Sequence, residues 1–231
     1  MTLVKTCGKL YWAGEYAILE PGQLALLKAI PIYMTAEIKA SDEYRLYSDM
    51  FTYSVDLRPD SSYALIQETV TLVEEYLTAQ GVKLQPFSLD VRGKMEREGK
   101  KFGLGSSGSV VVLVIKAMLA FYERPADREL LFKLASAVLL KRGDNGSMGD
   151  IACIVSEDLV LYQSFDREKV AHWLEKKDLQ TVLGREWGFS IETVEPGLEF
   201  DFLVYLVAWL NKSRIIWMPD FCKFQRKQSL P

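Results

Sequence analysis

Apolar and polar positions fall into recognisable periods along most of the chain. Residues 2–19 and 24–39 are rich in Val, Ile, Leu, Tyr and Thr and are separated by Glu20-Pro21-Gly22, so they read as strands joined by a tight loop at the start of a sheet. After Pro59, Asp60 and Ser62, the residues Leu65, Ile66, Thr69, Leu72, Val73, Tyr76 and Leu77 recur at helical spacing until Gly81, which predicts an amphipathic helix. Residues 87–91 alternate like a strand, and a charged loop over 94–101 leads into a glycine-rich segment. Asp127 predicts the cap of a helix through Leu140, with Lys141 and Arg142 in its last turn and Gly143 just beyond. Residues 151–155 and 159–163 predict a hairpin, and Asp166 begins a helix with Val170, Trp173 and Leu174 on one face. Strands and helices intermix without strict alternation, a pattern that favours α+β over a doubly wound α/β sheet.

Composition adds bounds to this picture. At 231 residues and 49% hydrophobic, the chain is long enough to bury a substantial core. Its 28 Lys and Arg against 31 Asp and Glu leave a net charge of −3, too weak a bias to indicate a nucleic-acid partner. Residues 211–231 carry +4, so residues 1–210 carry −7, which also argues against nucleic acid. Cys7, Cys153 and Cys222 are far apart and lack zinc or disulfide spacing, so they read as reduced thiols. The N-terminus has no signal-peptide pattern, and the apolar runs 110–115 and 202–210 are too short to span a membrane, so a cytoplasmic protein without a membrane partner is expected.

Three segments carry candidate chemistry. In Gly103-Leu104-Gly105-Ser106-Ser107-Gly108-Ser109, glycines let successive N–H groups converge; if a helix starts at Ser106, those groups and the helix dipole form an anion site sized for phosphate. The string fits neither the Walker loop, which needs Lys then Ser or Thr after its last glycine, nor the Rossmann loop, which leaves a strand directly. Taken alone it also fits a flexible turn, and Val110, Val111 and Val112 suit a strand better than a helix. Residues 8–16 place Lys9 and Glu15 among strand-forming residues flanked by Gly8 and Gly14, while Asn145-Gly146-Ser147-Met148-Gly149-Asp150 is a tight polar turn. Each of these also fits solvated charges or a plain loop. The lone His172 lies outside all three.

Together, in this order and spacing, the segments resemble the GHMP kinases, the family of galactokinase, homoserine kinase, mevalonate kinase and phosphomevalonate kinase. The variant here, with Lys101 and Phe102 before the loop and Tyr16 where mevalonate kinases have His, looks most like the branch that acts on phosphomevalonate. The resemblance implies an α+β GHMP kinase fold. Residues 1–200 would form an ATP-binding two-layer domain with a left-handed βαβ unit, and residues 201–231 a stub of a ferredoxin-like C-terminal domain. It further implies transfer of the γ-phosphoryl group of Mg2+-ATP to 5-phosphomevalonate, a small-molecule substrate. Gly103, Leu104, Gly105, Ser106, Ser107, Gly108 and Ser109 would hold ATP, and Ser106 and Ser107 would reach Mg2+. Lys9, Lys101 and Asp150 would be catalytic, and Glu15, Tyr16, Asn145, Gly146 and Ser147 would bind the acceptor. Another GHMP small-molecule kinase, of mevalonate or homoserine type, or a non-catalytic nucleotide-binding protein are the alternatives.

The family also carries a third, C-terminal glycine-rich segment, and this chain has no glycine after Gly197. The basic and aromatic residues 205–231 resemble an out-of-frame continuation before an early stop, or a divergent short variant with a basic helix or membrane-touching tail. A C-terminally truncated kinase is therefore expected, with weak or no catalysis and self-association through exposed apolar surface.

Overall fold

The computed structural model describes residues 1–93 and 104–195, with the backbone alone at 96–97 and 100–101. Cys222, Gly103 and residues 201–231 lie outside the described residues, as does the side chain of Lys101. Met1–Glu195 forms one compact unit. In chain order its elements are β1 (Thr2–Ala13), β2 (Leu24–Ala40), β3 (Arg45–Ser48), β4 (Ser54–Val55), α1 (Ala64–Ala79) and β5 (Phe87–Arg92). There follow β6 (Glu96–Arg97), β7 (Lys100–Lys101), α2 (Ser106–Phe121), α3 (Arg128–Lys141), α4 (Gly149–Ser156), β8 (Leu159–Gln163), α5 (Arg167–Lys176), α6 (Leu179–Leu183) and β9 (Ser190–Thr193).

The long strand β2 organises a seven-stranded sheet. β1 runs antiparallel along it from Thr2↔Ile38 to Ala13↔Leu26, with register shifts at Cys7/Gly8 and Tyr11/Ala13. β5 pairs with residues 35–40 of β2 and β8 with residues 24–28, both antiparallel. β3 joins β5 in parallel through the α1 crossover, and β9 closes the other side on β8. Ala25, Leu27, Met34, Ala36 and Ile38 of β2 point with Phe87, Leu89 and Val91 of β5 into the core, whereas Leu24 and Tyr33 face outward, the alternation of a sheet covered on one side.

Helix α2 lies at the centre of this core and packs against β1, β2, α1, α3 and α4. Val111 through Ile115 and Ala117 through Leu119 are fully buried, so the helix is apolar nearly all round, as an interior helix should be. The three consecutive valines are accordingly helical. β-branching costs a few tenths of a kcal/mol per residue in a helix, while burying each valine returns about 1.5–3 kcal/mol.

Other predicted elements hold with shifted ends. Asp127 accepts from the Leu130 amide at 2.8 Å and Asp166 from the Lys169 amide at 2.9 Å, so both predicted caps form. Two expectations are corrected. Residues 17–19 form a 3-10 turn rather than strand, because β1 stops at Ala13 and the φ of 83° at Gly14 turns the chain, so that Ile18 is buried. Residues 151–155 belong to α4, not to a hairpin: Ile151, Ala152, Cys153 and Ile154 are all buried, and a short run buried on every side shows no period that distinguishes strand from helix. Cys7 and Cys153 are buried free thiols, and burial raises the Cys7 thiol to about 11.

Leu113→Ala should lower the unfolding free energy by about 2–5 kcal/mol, because this fully buried side chain sits at the centre of α2. A shift of the urea midpoint with unchanged slope is the measurement; a change of less than 0.5 kcal/mol, within the range of surface substitutions, would contradict the central placement of this helix.

Candidate active site

Two helices begin beside the middle of β1, and their first turns supply most of the site. Gly105 precedes α2 with φ 81° and ψ 34°, a left-handed conformation that glycine adopts without steric cost. The first intrahelical bond runs from the Ser109 amide to the Gly105 carbonyl at 2.9 Å. The amides of Ser106, Ser107 and Gly108 therefore precede the helix ladder and suit an anion, reinforced by the positive end of the dipole.

β1 fixes where this turn sits. The Lys9 amide donates to the Leu104 carbonyl at 3.0 Å, the Thr6 hydroxyl to the Ser109 carbonyl at 3.1 Å, and the Ser109 hydroxyl to the Cys7 carbonyl at 2.9 Å. The Ser109 side chain is thereby committed to β1 and ties the end of the loop to that strand. Leu104 is buried and anchors the loop through its backbone. Ser106 is half-buried and Ser107 exposed, and among the described residues neither hydroxyl has a hydrogen-bond partner.

Lys9 is buried beneath this loop. An added Cβ at Gly105 would lie 3.0 Å from Lys9 Cε and 3.4 Å from Asp150 Cβ, so loop, lysine and aspartate are in direct contact. Lys9 Nζ stands 4.6 Å from the centroid of the Tyr11 ring. Among the described residues this ammonium makes no hydrogen bond and no ion pair.

Helix α4 brings the second set. Asp150 lies in its first turn, and its carboxylate reaches the start of α2: an added Cβ at Gly108 would meet Asp150 Oδ2 at 2.8 Å. Desolvation pushes the Asp150 carboxyl above its ordinary range, opposed by the Lys9 ammonium and by the Ile151 amide, which donates to Oδ1 at 2.9 Å. Just before α4, Met148 takes φ 64°, and the Gly149 amide donates to the Ser147 hydroxyl at 3.2 Å.

The remaining predicted residues form the rim. Glu15 and Tyr16 are exposed in the turn after β1, with Tyr16 at 82% exposure. Asn145 and Gly146 are exposed between α3 and α4, where the Gly146 amide donates to Asp144 Oδ1 at 2.6 Å. Two tyrosines stand out that had no assigned role. Tyr11 and Ser147 share a hydrogen bond of 2.9 Å, and the Tyr162 hydroxyl donates to the Ser147 carbonyl at 2.8 Å. Tyr11 was within reach of sequence reasoning, since it lies two residues from Lys9 and hence on the same face of a strand; Tyr162 gave no such signal. Among the described residues no cluster of three or more His, Cys, Asp or Glu could hold a metal, and no helix is long and apolar enough to cross a membrane.

Comparison with known proteins adds to this geometry. Residues 64–158 match the GHMP kinases N terminal domain, a span that contains the α2 loop and the Ser147–Asp150 turn. A phosphomevalonate kinase of Streptomyces sp. (strain CL190) is 28% identical over 207 residues, which is 80% of this chain and 55% of that protein. The structure of Streptococcus pneumoniae phosphomevalonate kinase in complex with phosphomevalonate and AMPPNP is 72% identical, with a TM-score of 0.84 over 86% of this chain and 60% of that one. The Lin0012 protein of Listeria innocua is 33% identical, with a TM-score of 0.79 over 84% and 57%. This chain thus spans 55–60% of the length of these relatives.

The Asp150 environment predicts a pH signature. In a carbon-13 carboxyl titration, Asp150 should titrate above the ordinary aspartate range, and Lys9→Met should move it higher still, because the lost ammonium had favoured the charged form. A lower value in Lys9→Met would contradict the contact. Since the folded value exceeds the unfolded one, the associated stability is full at acid pH and declines as pH rises through the folded value. Asp150→Asn should therefore resist urea better than the parent at pH 7, with the difference vanishing in acid; equal midpoints at pH 7 would remove the desolvation argument.

Proposed function

Because the chain belongs to the GHMP kinases, we propose that it transfers the γ-phosphoryl group of Mg2+-ATP to the phosphate of 5-phosphomevalonate. An acceptor phosphate oxygen forms the new bond to the γ-phosphorus, the bond to the β,γ-bridging oxygen breaks, and ADP and 5-diphosphomevalonate result. The observation that carries this reading is Lys9: a buried lysine whose ammonium has no ionic partner among the described residues, beside the open N-terminus of α2, calls for a polyanionic ligand. The relatives named above support phosphomevalonate and an ATP analogue as its two sources of phosphate.

An acceptor phosphate, whose second ionisation lies near pH 6, is already largely anionic at neutral pH and needs no strong base. The obstacle is repulsion between two anions, so catalysis here is positioning and charge neutralisation. Lys9 neutralises charge at the transferring group while the amides of Gly105 to Gly108 take the nucleotide phosphates. The resemblance also assigns Lys101 to charge neutralisation and Gly103 and Leu104 to the nucleotide. Ser147, Gly146 and Asn145 hold the acceptor, and Glu15 and Tyr16 shape its pocket. Asp150 orients Lys9 instead of removing a proton. The uncommitted oxygens of Ser106 and Ser107 suit a hard cation that keeps waters and bridges phosphates, so they would hold Mg2+, which supplies charge neutralisation when bound. On this reading residues 1–200 are the ATP-binding domain and the cytoplasm is the site of action.

A coupled assay of the purified chain should show only slow ADP release, consistent with the weak catalysis expected above, that depends on 5-phosphomevalonate and that Lys9→Met lowers by about 10²–10³-fold, the range for loss of one charge-stabilising group. Stimulation by mevalonate or homoserine in place of 5-phosphomevalonate would reassign the acceptor. AMPPNP binding with no turnover on any of the three would make the chain a nucleotide-binding protein.

A further inference from the structure

We propose that Tyr11 is a positioning residue that turns the Ser147 hydroxyl into a dedicated donor toward the acceptor anion while its ring supports Lys9. The proposal rests on the phosphoryl-transfer reading above. A serine hydroxyl has one proton and two lone pairs. The Gly149 amide occupies one lone pair at 3.2 Å, and the Tyr11 hydroxyl, 2.9 Å away, fills the second when it donates. Ser147 then has only its proton left, and that proton points to whatever anion enters between the α4 turn and β1. Burial raises the Tyr11 phenol to about 12, so it stays protonated and keeps its donor at neutral pH.

Three further features hold the arrangement. The Ser147 carbonyl is pinned by Tyr162 at 2.8 Å, so the peptide cannot rotate to compensate for a lost Tyr11. Met148, buried and at φ 64°, keeps a left-handed conformation that is unfavourable outside glycine and persists only where the surroundings over-determine it. An added Cβ at Gly149 would lie 2.6 Å from the Tyr11 hydroxyl, so position 149 leaves just the space that the tyrosine occupies. The same ring lies 4.6 Å from the Lys9 ammonium. One side chain therefore touches both the group assigned to the transferring phosphoryl and the group assigned to the acceptor.

The test compares Tyr11→Phe, Tyr11→Leu, Ser147→Ala and the double variant Tyr11→Phe/Ser147→Ala in the full 231-residue chain. In hydrogen exchange followed by mass spectrometry, Tyr11→Phe should speed exchange in residues 145–149 while the circular dichroism stays that of the parent. By calorimetry, Tyr11→Phe should weaken 5-phosphomevalonate binding by about 3- to 10-fold, the worth of one net hydrogen bond, with AMPPNP affinity unchanged. The double variant should bind no more weakly than Ser147→Ala alone, and Tyr11→Leu, which also strips the ring from Lys9, should weaken AMPPNP as well. Unchanged exchange in 145–149, unchanged acceptor affinity in Tyr11→Phe, or additive losses in the double variant would each overturn the role of Tyr11 and leave the kinase reading standing. Faster exchange in Tyr11→Phe, in a chain that binds AMPPNP but no 5-phosphomevalonate even as the parent, would uphold the positioning and overturn the acceptor instead.

Discussion

Three hydrogen bonds between β1 and the first turn of α2 determine where every other group at the site can be. They run from the Lys9 amide, the Thr6 hydroxyl and the Ser109 hydroxyl, and all are made on one side of a strand that β2 holds along its whole length from the other. Buried hydrogen bonds of this kind contribute only about 1 kcal/mol each in net stability, but leaving their groups unpaired in the core would cost more. α2 cannot slide or rotate without breaking them, and it cannot move laterally because it is surrounded by β1, β2, α1, α3 and α4. A phosphate-sized array of amides is useful only if it stays still. The interior helix supplies that rigidity, and the cost of its β-branched residues is small beside the burial it gains.

From that fixed origin the electrostatics follow. Two helix N-termini, those of α2 and α4, point toward the same small volume, and a lysine with no ionic partner among the described residues sits beneath one of them. Positive potential from three sources accumulates there, and Asp150 is the one carboxylate in contact with it among the described residues. Desolvation pushes its carboxyl above the ordinary range and outweighs the opposing attraction of Lys9. A side chain held at such a cost to folding is usually kept for what it does with a ligand. Orienting the lysine is a role that needs contact without proton transfer.

Much of this was legible in the chain itself, for identifiable reasons. Caps at Asp127 and Asp166, the α1 periodicity and the glycine-rich loop are local features, and local rules predict them. The failures share a cause in tertiary burial. Residues 149–156 form a helix that is covered on all sides, and the valines of α2 are helical because the core surrounds them. In neither case does the sequence period carry information about the partner surfaces. Ser109 illustrates the same limit within the site. Its hydroxyl bonds the Cys7 carbonyl, 102 residues away, a contact that the neighbouring loop residues do not predict. Tyr11 could have been found from strand periodicity, whereas Tyr162 reaches Ser147 only because β8 pairs with β2.

The site is also shaped by atoms that are absent. At Gly105, Gly108 and Gly149 a β-carbon would approach Lys9, Asp150 and Tyr11 to 3.0, 2.8 and 2.6 Å. Each neighbour is a side chain with an assigned task, so these glycines set distances as well as turns. Gly105 lets the loop close on the lysine, Gly108 admits the carboxylate to the end of α2, and Gly149 admits the tyrosine to the Ser147–Asp150 turn. The three contacts join β1, α2 and α4 through side chains that would otherwise be held apart by a methyl group. Charge neutralisation between two anions falls off with distance and with the water that enters any gap. A loop richer in larger residues could still present amides to one phosphate, but it would hold the lysine and the Ser147–Asp150 turn farther apart than a second, neighbouring anion would require.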